Sequence, residues 1–262
     1  MYTMSKICGL LIDLDGVIYN DTQPIPGAKE TISWLKEHNI PYRFITNTTM
    51  KSRETLAAKL TSMGIDTNRN QIFSAAYAAS LYVRQREGCC FMLLLEDAKK
   101  DYRGLECRSG TADFVVVGDM GETLTYGLLN EAFRHLHNGA QLIALQKNRF
   151  WLSDKGYMLD AGAFVALLEY AADTQAVLIG KPARPFFETA LSDLGLNPEK
   201  VMMIGDDVES DIRGAATLGL KTCLVKTGKF RQKDLDKSGI KPDFLLATIH
   251  KLSTLDSYFN LQ

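Results

Sequence analysis

Two aspartates one residue apart, in Asp13-Leu14-Asp15-Gly16-Val17, close the apolar run that begins near Ile7. In extended backbone, residues two apart share a face, so both carboxylates would sit side by side and repel. A cation between them relieves that repulsion, and so does a proton held on one of them at a raised pKa; reactive sites use both devices. A turn closing the strand, with Gly16 supplying a positive φ, accounts for the same residues without chemistry. Three further polar clusters follow. Ile45-Thr46-Asn47-Thr48 offers a hydroxyl and the N–H groups leading into a helix, which suit an anionic oxygen, although Thr and Asn are also ordinary N-caps. Gly180-Lys181-Pro182 restrains a lysine whose compact ammonium suits a phosphate or carboxylate, with a solvated surface charge as the plain alternative. The run 206–211 holds four acids, Asp206, Asp207, Glu209 and Asp211, with no base between them. That set suits Mg²⁺ with water better than a full Ca²⁺ cage, and it is otherwise a solvated acidic loop.

The elements that must position these clusters are legible in the spacing of apolar residues. Short apolar runs at 7–12, 42–45, 176–179, 201–204, 221–225 and 244–246 alternate with segments of helical period. Helices are expected over 29–38, from near Ser52 to Gly64 on the stripe Leu56, Leu60 and Met63, and through Phe187, Leu191 and Leu194 up to Gly195. This alternation predicts an α/β fold, a parallel sheet with helices on its faces. Residues 79–173 carry strands of their own at 91–95, 114–117 and 142–145, so they read as an inserted domain, with 1–78 and 174–262 as the core. No long linker is visible, and short hinges are expected. Open α/β sheets bind ligands beyond the carboxyl ends of their strands. All four clusters fall at such ends, and together they predict one pocket.

Length and composition bound the remaining classes. The 262 residues are 46% hydrophobic and 23% charged, an ordinary globular balance with room for a sizeable core. Thirty Lys plus Arg against 31 Asp plus Glu leave a formal charge of −1, so no broad attraction to nucleic acid or an anionic membrane is built in. No apolar run approaches the roughly 18 residues of a membrane span, and no secretory leader is visible at the N-terminus, so a cytoplasmic location is expected. The five cysteines, Cys8, Cys89, Cys90, Cys107 and Cys223, are an odd set without a Cys-x-x-Cys pair. They are expected to be reduced thiols and not a disulfide framework or a zinc site. His135 and His137 are two apart on an expected helix, point in different directions, and are not read as ligands.

In this order the clusters resemble the four motifs of the haloacid dehalogenase-like phosphatase superfamily: Asp13-Leu14-Asp15-Gly16-Val17, Thr46-Asn47, Lys181, and Gly205-Asp206-Asp207 with Asp211. The insertion lies where that superfamily places its class II caps. Residues 148–170, with Leu159-Asp160-Ala161-Gly162-Ala163-Phe164, are similar to the class IIA group, although relatives often carry Gly at the place of Asp160. The resemblance implies a Rossmann-like, doubly wound parallel-sheet core with an inserted α/β cap of the C2a type. It implies a Mg²⁺-dependent phosphatase acting on a small phosphorylated metabolite through a phosphoaspartate on Asp13. Asp15 would protonate the leaving group and then take a proton from water, while Thr46 and Lys181 stabilise the phosphoryl oxygens. Substrate contacts would come from these four residues, from Asn47, and from the cap at Asn148 beside Lys147 and Arg149. The Asp13 side chain, the Asp15 backbone carbonyl and Asp206 would hold Mg²⁺, with Asp207 and Asp211 supporting them. Pairing of two copies through the cap is a further implication. A phosphotransferase or mutase of the same superfamily is the alternative. A receiver-like signalling module is disfavoured by Asp15 and by the insertion, and an idle binding protein by the intact motifs.

Overall fold

The structure is a computed structural model that describes residues 6–153 and 156–261; residues 1–5, part of the stretch read for a leader, 154–155 and 262 lie outside the described residues. The chain divides into two compact units, one of residues 1–46, 56–73 and 181–262 and one of residues 47–55 and 74–180.

The first unit is built on a six-stranded sheet. Its order is Phe244–Leu246, Lys221–Val225, Val201–Gly205, Gly9–Asp13, Tyr42–Thr46 and Ile72–Ser74. Gly9–Asp13 lies at the middle with a parallel partner on each side, Leu10 opposite both Met202 and Tyr42. A parallel strand covered on both faces has no solvent side, which is why its five residues, Gly-Leu-Leu-Ile-Asp, are all buried and lack polar alternation. The chain builds outward from this strand in one direction with its N-terminal part and in the other with its C-terminal part. The strand order therefore reverses between Gly9–Asp13 and Val201–Gly205, the place where doubly wound sheets leave a crevice. Helix Ala28–Glu37 turns Ile32 and Leu35 inward, and helix Arg184–Leu194 buries Phe186, Phe187 and Leu191 before Gly195 ends it at φ 73°. The apolar stripes expected from sequence lie on these buried faces.

The second unit has a four-stranded parallel sheet in the order Val177–Leu178, Gln141–Ala144, Phe114–Val117 and Cys90–Leu93. Helices Ala75–Arg84, Tyr126–His137 and Ala161–Ala172 accompany it, and an antiparallel hairpin joins Phe150–Ser153 to Gly156–Leu159. The strand expected at 176–179 forms, but it pairs with Gln141–Ala144 and so extends this sheet instead of the core sheet. An apolar run specifies a strand without specifying its partner, so the sequence boundary at 173 and the observed end of the unit at 180 differ by that strand.

The expectation of five reduced thiols is overturned. Cys89 and Cys107 form a disulfide with a Cα–Cα distance of 5.0 Å, while Cys8, Cys90 and Cys223 are free. The cause is a local β-bridge: the Cys90 N–H donates to the Leu105 carbonyl at 2.6 Å and the Cys107 N–H to the Cys90 carbonyl at 3.2 Å. These bonds bring together cysteines 18 residues apart, a separation that carries no sign of pairing. Among the described residues no helix is long and apolar enough to cross a membrane.

Candidate active site

The sheet order sets most of the site. Gly9–Asp13 ends in Asp13, Tyr42–Thr46 ends in Thr46, and Val201–Gly205 ends one residue before Asp206, so three predicted residues leave adjacent strands at the same edge. Lys181 comes in just ahead of helix Arg184–Leu194. Its side chain is 3% exposed, and its Nζ lies 2.6 Å from Asp13 Oδ1 and 2.8 Å from Asp211 Oδ1. Burial pulls an ammonium's pKa down, but two carboxylates at this distance more than reverse the effect, and the Lys181 pKa is raised. Lys181 is a permanent charge at neutral pH.

The acids carry the opposite strain. Asp13 Oδ1 also accepts the Leu14 N–H at 2.8 Å. Burial raises the Asp13 pKa, Lys181 opposes it, Asp206 adds repulsion, and the net direction is upward. Asp206 is buried and its Oδ2 accepts the Lys229 N–H at 2.6 Å, while its Oδ1 has no hydrogen-bond partner among the described residues. Burial and then the Asp211 charge lift Asp206 to about 6. Burial and then the Asp13 charge lift Asp211 to about 7, even though Lys181 opposes the rise.

Carboxylate oxygens of Asp13, Asp206 and Asp211 all lie within 4.8 Å of one another. Three buried acids thus face one buried ammonium, one oxygen is unpartnered, and all three carboxyls resist ionisation. A small hard cation relieves each of these conditions, so the donor set fits Mg²⁺. The backbone closes directly over Asp206: Gly16 (φ 82°) and Gly228 (φ 57°) are both left-handed, and a Cβ on either would collide with Asp206 Oδ2.

Asp15 lies apart from this triad. It is exposed, and its Oδ2 accepts a long hydrogen bond of 3.4 Å from the Tyr19 hydroxyl. With Asn20, Asp206 and Lys229 it lines a cavity of about 330 Å³ at the crevice. Its pKa is raised by partial loss of solvent, against the pull of Lys59, Lys229 and Lys181. A carboxyl that holds a proton more readily than usual, set in a concave mouth beside the acids, has the makings of a proton donor.

Asp207 and Asp211 part company. Asp207 caps the next turn, its Oδ1 accepting the Glu209 and Ser210 N–H groups at 2.9 and 3.0 Å. Asp211 reaches the centre through a π-helical turn, Val208–Arg213, in which the Ile212 N–H donates to the Asp207 carbonyl five residues back. This wider turn swings Asp211 beneath the end of the strand, where its Oδ2 accepts the Asp207 N–H at 3.2 Å. Thr46 is buried at its strand end. Asn47 and Asn148 belong to the second unit, where the Asn148 N–H donates to Gln146 Oε1 at 2.5 Å.

Three contributors were not singled out from sequence: the Lys229 N–H on Asp206, the Tyr19 hydroxyl on Asp15, and Thr227, whose Oγ1 donates to the Gly16 carbonyl at 2.5 Å. The rule that found the other clusters also reaches this one, because Thr227-Gly228-Lys229 follows the strand Lys221–Val225.

A family model described as haloacid dehalogenase-like hydrolase matches residues 10–108, and a related hydrolase-like model matches 178–252. The chain is 38% identical over 242 residues to haloacid dehalogenase-like hydrolase domain-containing protein 2 of Bos taurus, covering 92% of this chain and 93% of the relative. It is 34% identical over 246 residues to phospholysine phosphohistidine inorganic pyrophosphate phosphatase of Danio rerio, covering 92% and 90%. Among solved structures, p-nitrophenyl phosphatase from Archaeoglobus fulgidus superposes with a TM-score of 0.88 at 26% identity over 96% of this chain and 99% of its own.

Proposed function

From the premise that this chain belongs to the haloacid dehalogenase-like hydrolases, an enzyme family, we propose that it is a Mg²⁺-dependent phosphatase working through a phosphoaspartate on Asp13. The observation that carries this reading is the buried cluster of Asp13, Asp206 and Asp211 around Lys181, with one Asp206 oxygen unpartnered. Asp13, Asp206 and the backbone carbonyl of Asp15 would hold the ion, and Mg²⁺, when bound, supplies positive charge to the phosphoryl oxygens.

The protein's own groups divide the reaction into two displacements. The Lys181 ammonium and the Leu14 N–H both meet Asp13 at Oδ1, and Oδ2 would be the oxygen that attacks phosphorus. The phosphorus–oxygen bond to the leaving group breaks, and the Asp15 carboxyl gives that oxygen its proton. Water then attacks the acyl phosphate, Asp15 takes back a proton, and the bond to Asp13 breaks to release phosphate. Lys181 holds charge beside the nucleophile throughout, with the Thr46 hydroxyl on the transferring oxygens. The substrate proposed is a small phosphorylated metabolite, a phosphomonoester or a phosphoanhydride or phosphoramide of the kind named for the Danio rerio relative.

The test is phosphate release from p-nitrophenyl phosphate with and without Mg²⁺, in the absence of any acceptor alcohol. Turnover that requires Mg²⁺ and is abolished by Asp13→Asn is expected. Undiminished turnover in Asp13→Asn would refute the covalent route, and dependence on an acceptor would favour a phosphotransferase.

A further inference from the structure

Asp15, the proposed proton donor, stands on a turn that closes on itself. The Leu14 carbonyl accepts the Val17, Ile18 and Tyr19 N–H groups at 3.3, 2.9 and 3.2 Å, and the Gly16 N–H donates to the Tyr19 carbonyl at 2.8 Å. Beyond the turn, Tyr19–Asn20 pairs antiparallel with Gln23–Pro24. The Tyr19 backbone is thereby held against Asp15 in a β-bridge, and all of these residues lie in the first unit.

The two ends of the Tyr19 side chain have different surroundings. Its ring belongs to the core cluster of Leu14, Val17, Leu56 and Leu60, and the residue is 1% exposed. Its hydroxyl donates to Asp15 Oδ2 at 3.4 Å. A phenylalanine would fill the same space without a polar atom to take out of water. What the hydroxyl adds to packing is one hydrogen bond, and that bond falls on the exposed carboxyl that opens on the cavity beside Asp206. A cation holds the ring itself. Helix Arg53–Ser62 buries Leu56 and Leu60, and from the same helix the half-buried Lys59 sets its Nζ 3.8 Å from the centre of the Tyr19 ring. An ammonium over an aromatic face is attracted to the ring and restrains it.

A carboxyl that delivers a proton must present it in a fixed direction, within hydrogen-bond reach of the departing oxygen. A tyrosine hydroxyl carries its own proton at neutral pH, so the oxygen that accepts it is not the one that carries the acid proton. With Oδ2 engaged by Tyr19, the transferable proton of Asp15 belongs on Oδ1. When Oδ1 gives that proton to the leaving group as its bond to phosphorus breaks, the Tyr19 hydroxyl stays on the new carboxylate in a stronger, charge-assisted bond. Catalytic hydrogen bonds are often long, as this one is, until substrate fills the site.

We infer that Tyr19, held by Lys59, is a positioning residue that fixes which oxygen of Asp15 carries the proton for the leaving group. The inference rests on the phosphatase reading above and extends it to a substrate class, phosphate esters whose leaving group is too basic to depart without a proton.

The experiment compares p-nitrophenyl phosphate with phenyl phosphate, which has the same ring and a far more basic leaving group. It reads kcat/KM, which covers the steps through formation of the phosphoenzyme. For Tyr19→Phe the ratio of the first substrate to the second is expected to rise about fivefold or more. Lys59→Met should raise it in the same direction, and Lys59→Arg, which keeps a cation over the ring, should return it toward wild type. Asp15→Asn should raise the ratio as well, and adding Tyr19→Phe to it should raise it no further, because the tyrosine acts through the carboxyl. Equal losses on the two substrates in Tyr19→Phe would overturn the inference, as would a wild-type ratio in Tyr19→Phe, Lys59→Met or Asp15→Asn, or additive effects in the double variant. If Tyr19→Phe does not fold, Lys59→Met decides alone. Wild-type protein that hydrolyses p-nitrophenyl phosphate but not phenyl phosphate would overturn the inference and leave the phosphatase reading intact. Failure to hydrolyse either substrate in Mg²⁺ would count against the phosphatase reading itself.

Discussion

Replacing Lys181 by Met isolates the electrostatics of the centre. Lys181 is the buried ammonium between Asp13 at 2.6 Å and Asp211 at 2.8 Å, and Met keeps most of its length and apolar stem. Breaking a buried pair by removing one partner costs about 3–5 kcal/mol, because the remaining charge stays out of water without compensation. For a chain of this size each kcal/mol lowers Tm by roughly 2–4 °C, so Mg²⁺-free protein should melt about 6–20 °C below wild type. Turnover should fall by at least about 100-fold as well, the usual consequence of losing one preorganised donor to the transferring group. The assay is a pair of melts, single and double variant. Lys181→Met with Asp211→Asn removes one of the stranded charges, so its Tm should recover part of the loss, a coupling of about 1 kcal/mol or more. A fall below about 2 °C in the single variant, or strictly additive losses in the double, would refute the claim that this lysine compensates buried charge.

Other perturbations separate the remaining claims. Saturating Mg²⁺ should raise the melting temperature, by about 5–10 °C at a hundredfold excess over Kd, and Asp206→Asn should abolish the shift; an equal shift in that variant would deny Asp206 its role. Asp97 accepts bonds from the Ser52 N–H, Thr55 and Lys100 that outweigh its partial burial and bring it down to about 2. A depressed carboxyl stabilises the fold above its unfolded pKa and loses that contribution as pH falls through the folded one. Asp97→Asn should therefore cost about 1 kcal/mol in urea unfolding near neutral pH, and the difference from wild type should shrink between about pH 4 and 2; a difference constant to the lowest pH would contradict this. Alkylation of unfolded, unreduced protein should label Cys8, Cys90 and Cys223 only, and reduction should cost about 3 kcal/mol for a loop of this length; five labelled cysteines would remove the Cys89–Cys107 bridge.

The core sheet was readable because its main strands are short, mostly apolar and mostly buried runs, even where Arg43 or Lys221 interrupts them. Lys221–Val225 and Phe244–Leu246 fall at the residues expected, and Tyr42–Thr46 and Val201–Gly205 run one residue further. The candidate cluster was readable because one rule, polar residues after a parallel strand, picks out Asp13, Lys181 and Asp206, which the structure brings together, and Thr46 at the end of its own strand. What escaped has a physical cause in each case. The strand Ile72–Ser74 passes directly into helix Ala75–Arg84, which Ser74 caps, so no turn residue separates its apolar residues from the helix's own. The hairpin beginning at Phe150 exposes Phe150, Tyr157 and Leu159, so it lacks an obvious inward face. Asp211 reaches the acidic cluster through a π-helical turn, and nothing in Val-Glu-Ser-Asp announces a turn of that width. The disulfide depends on a bridge between backbone segments that no spacing rule contains.

The placement of Gly9–Asp13 between Tyr42–Thr46 and Val201–Gly205 also constrains how the molecule is born. On the ribosome, the first strand emerges early and can pair with Tyr42–Thr46, but its other edge waits for a segment translated on the order of ten seconds later. During that interval a nascent chain presents an unpaired apolar edge, a template for association with its neighbours. Asp13 meanwhile lacks Lys181, Asp206 and Asp211, so a polypeptide halted before residue 181 has the proposed nucleophile and none of its electrostatic partners. The proposed electrostatic partners and the protection of that edge arrive together, once residues 181–211 have been made.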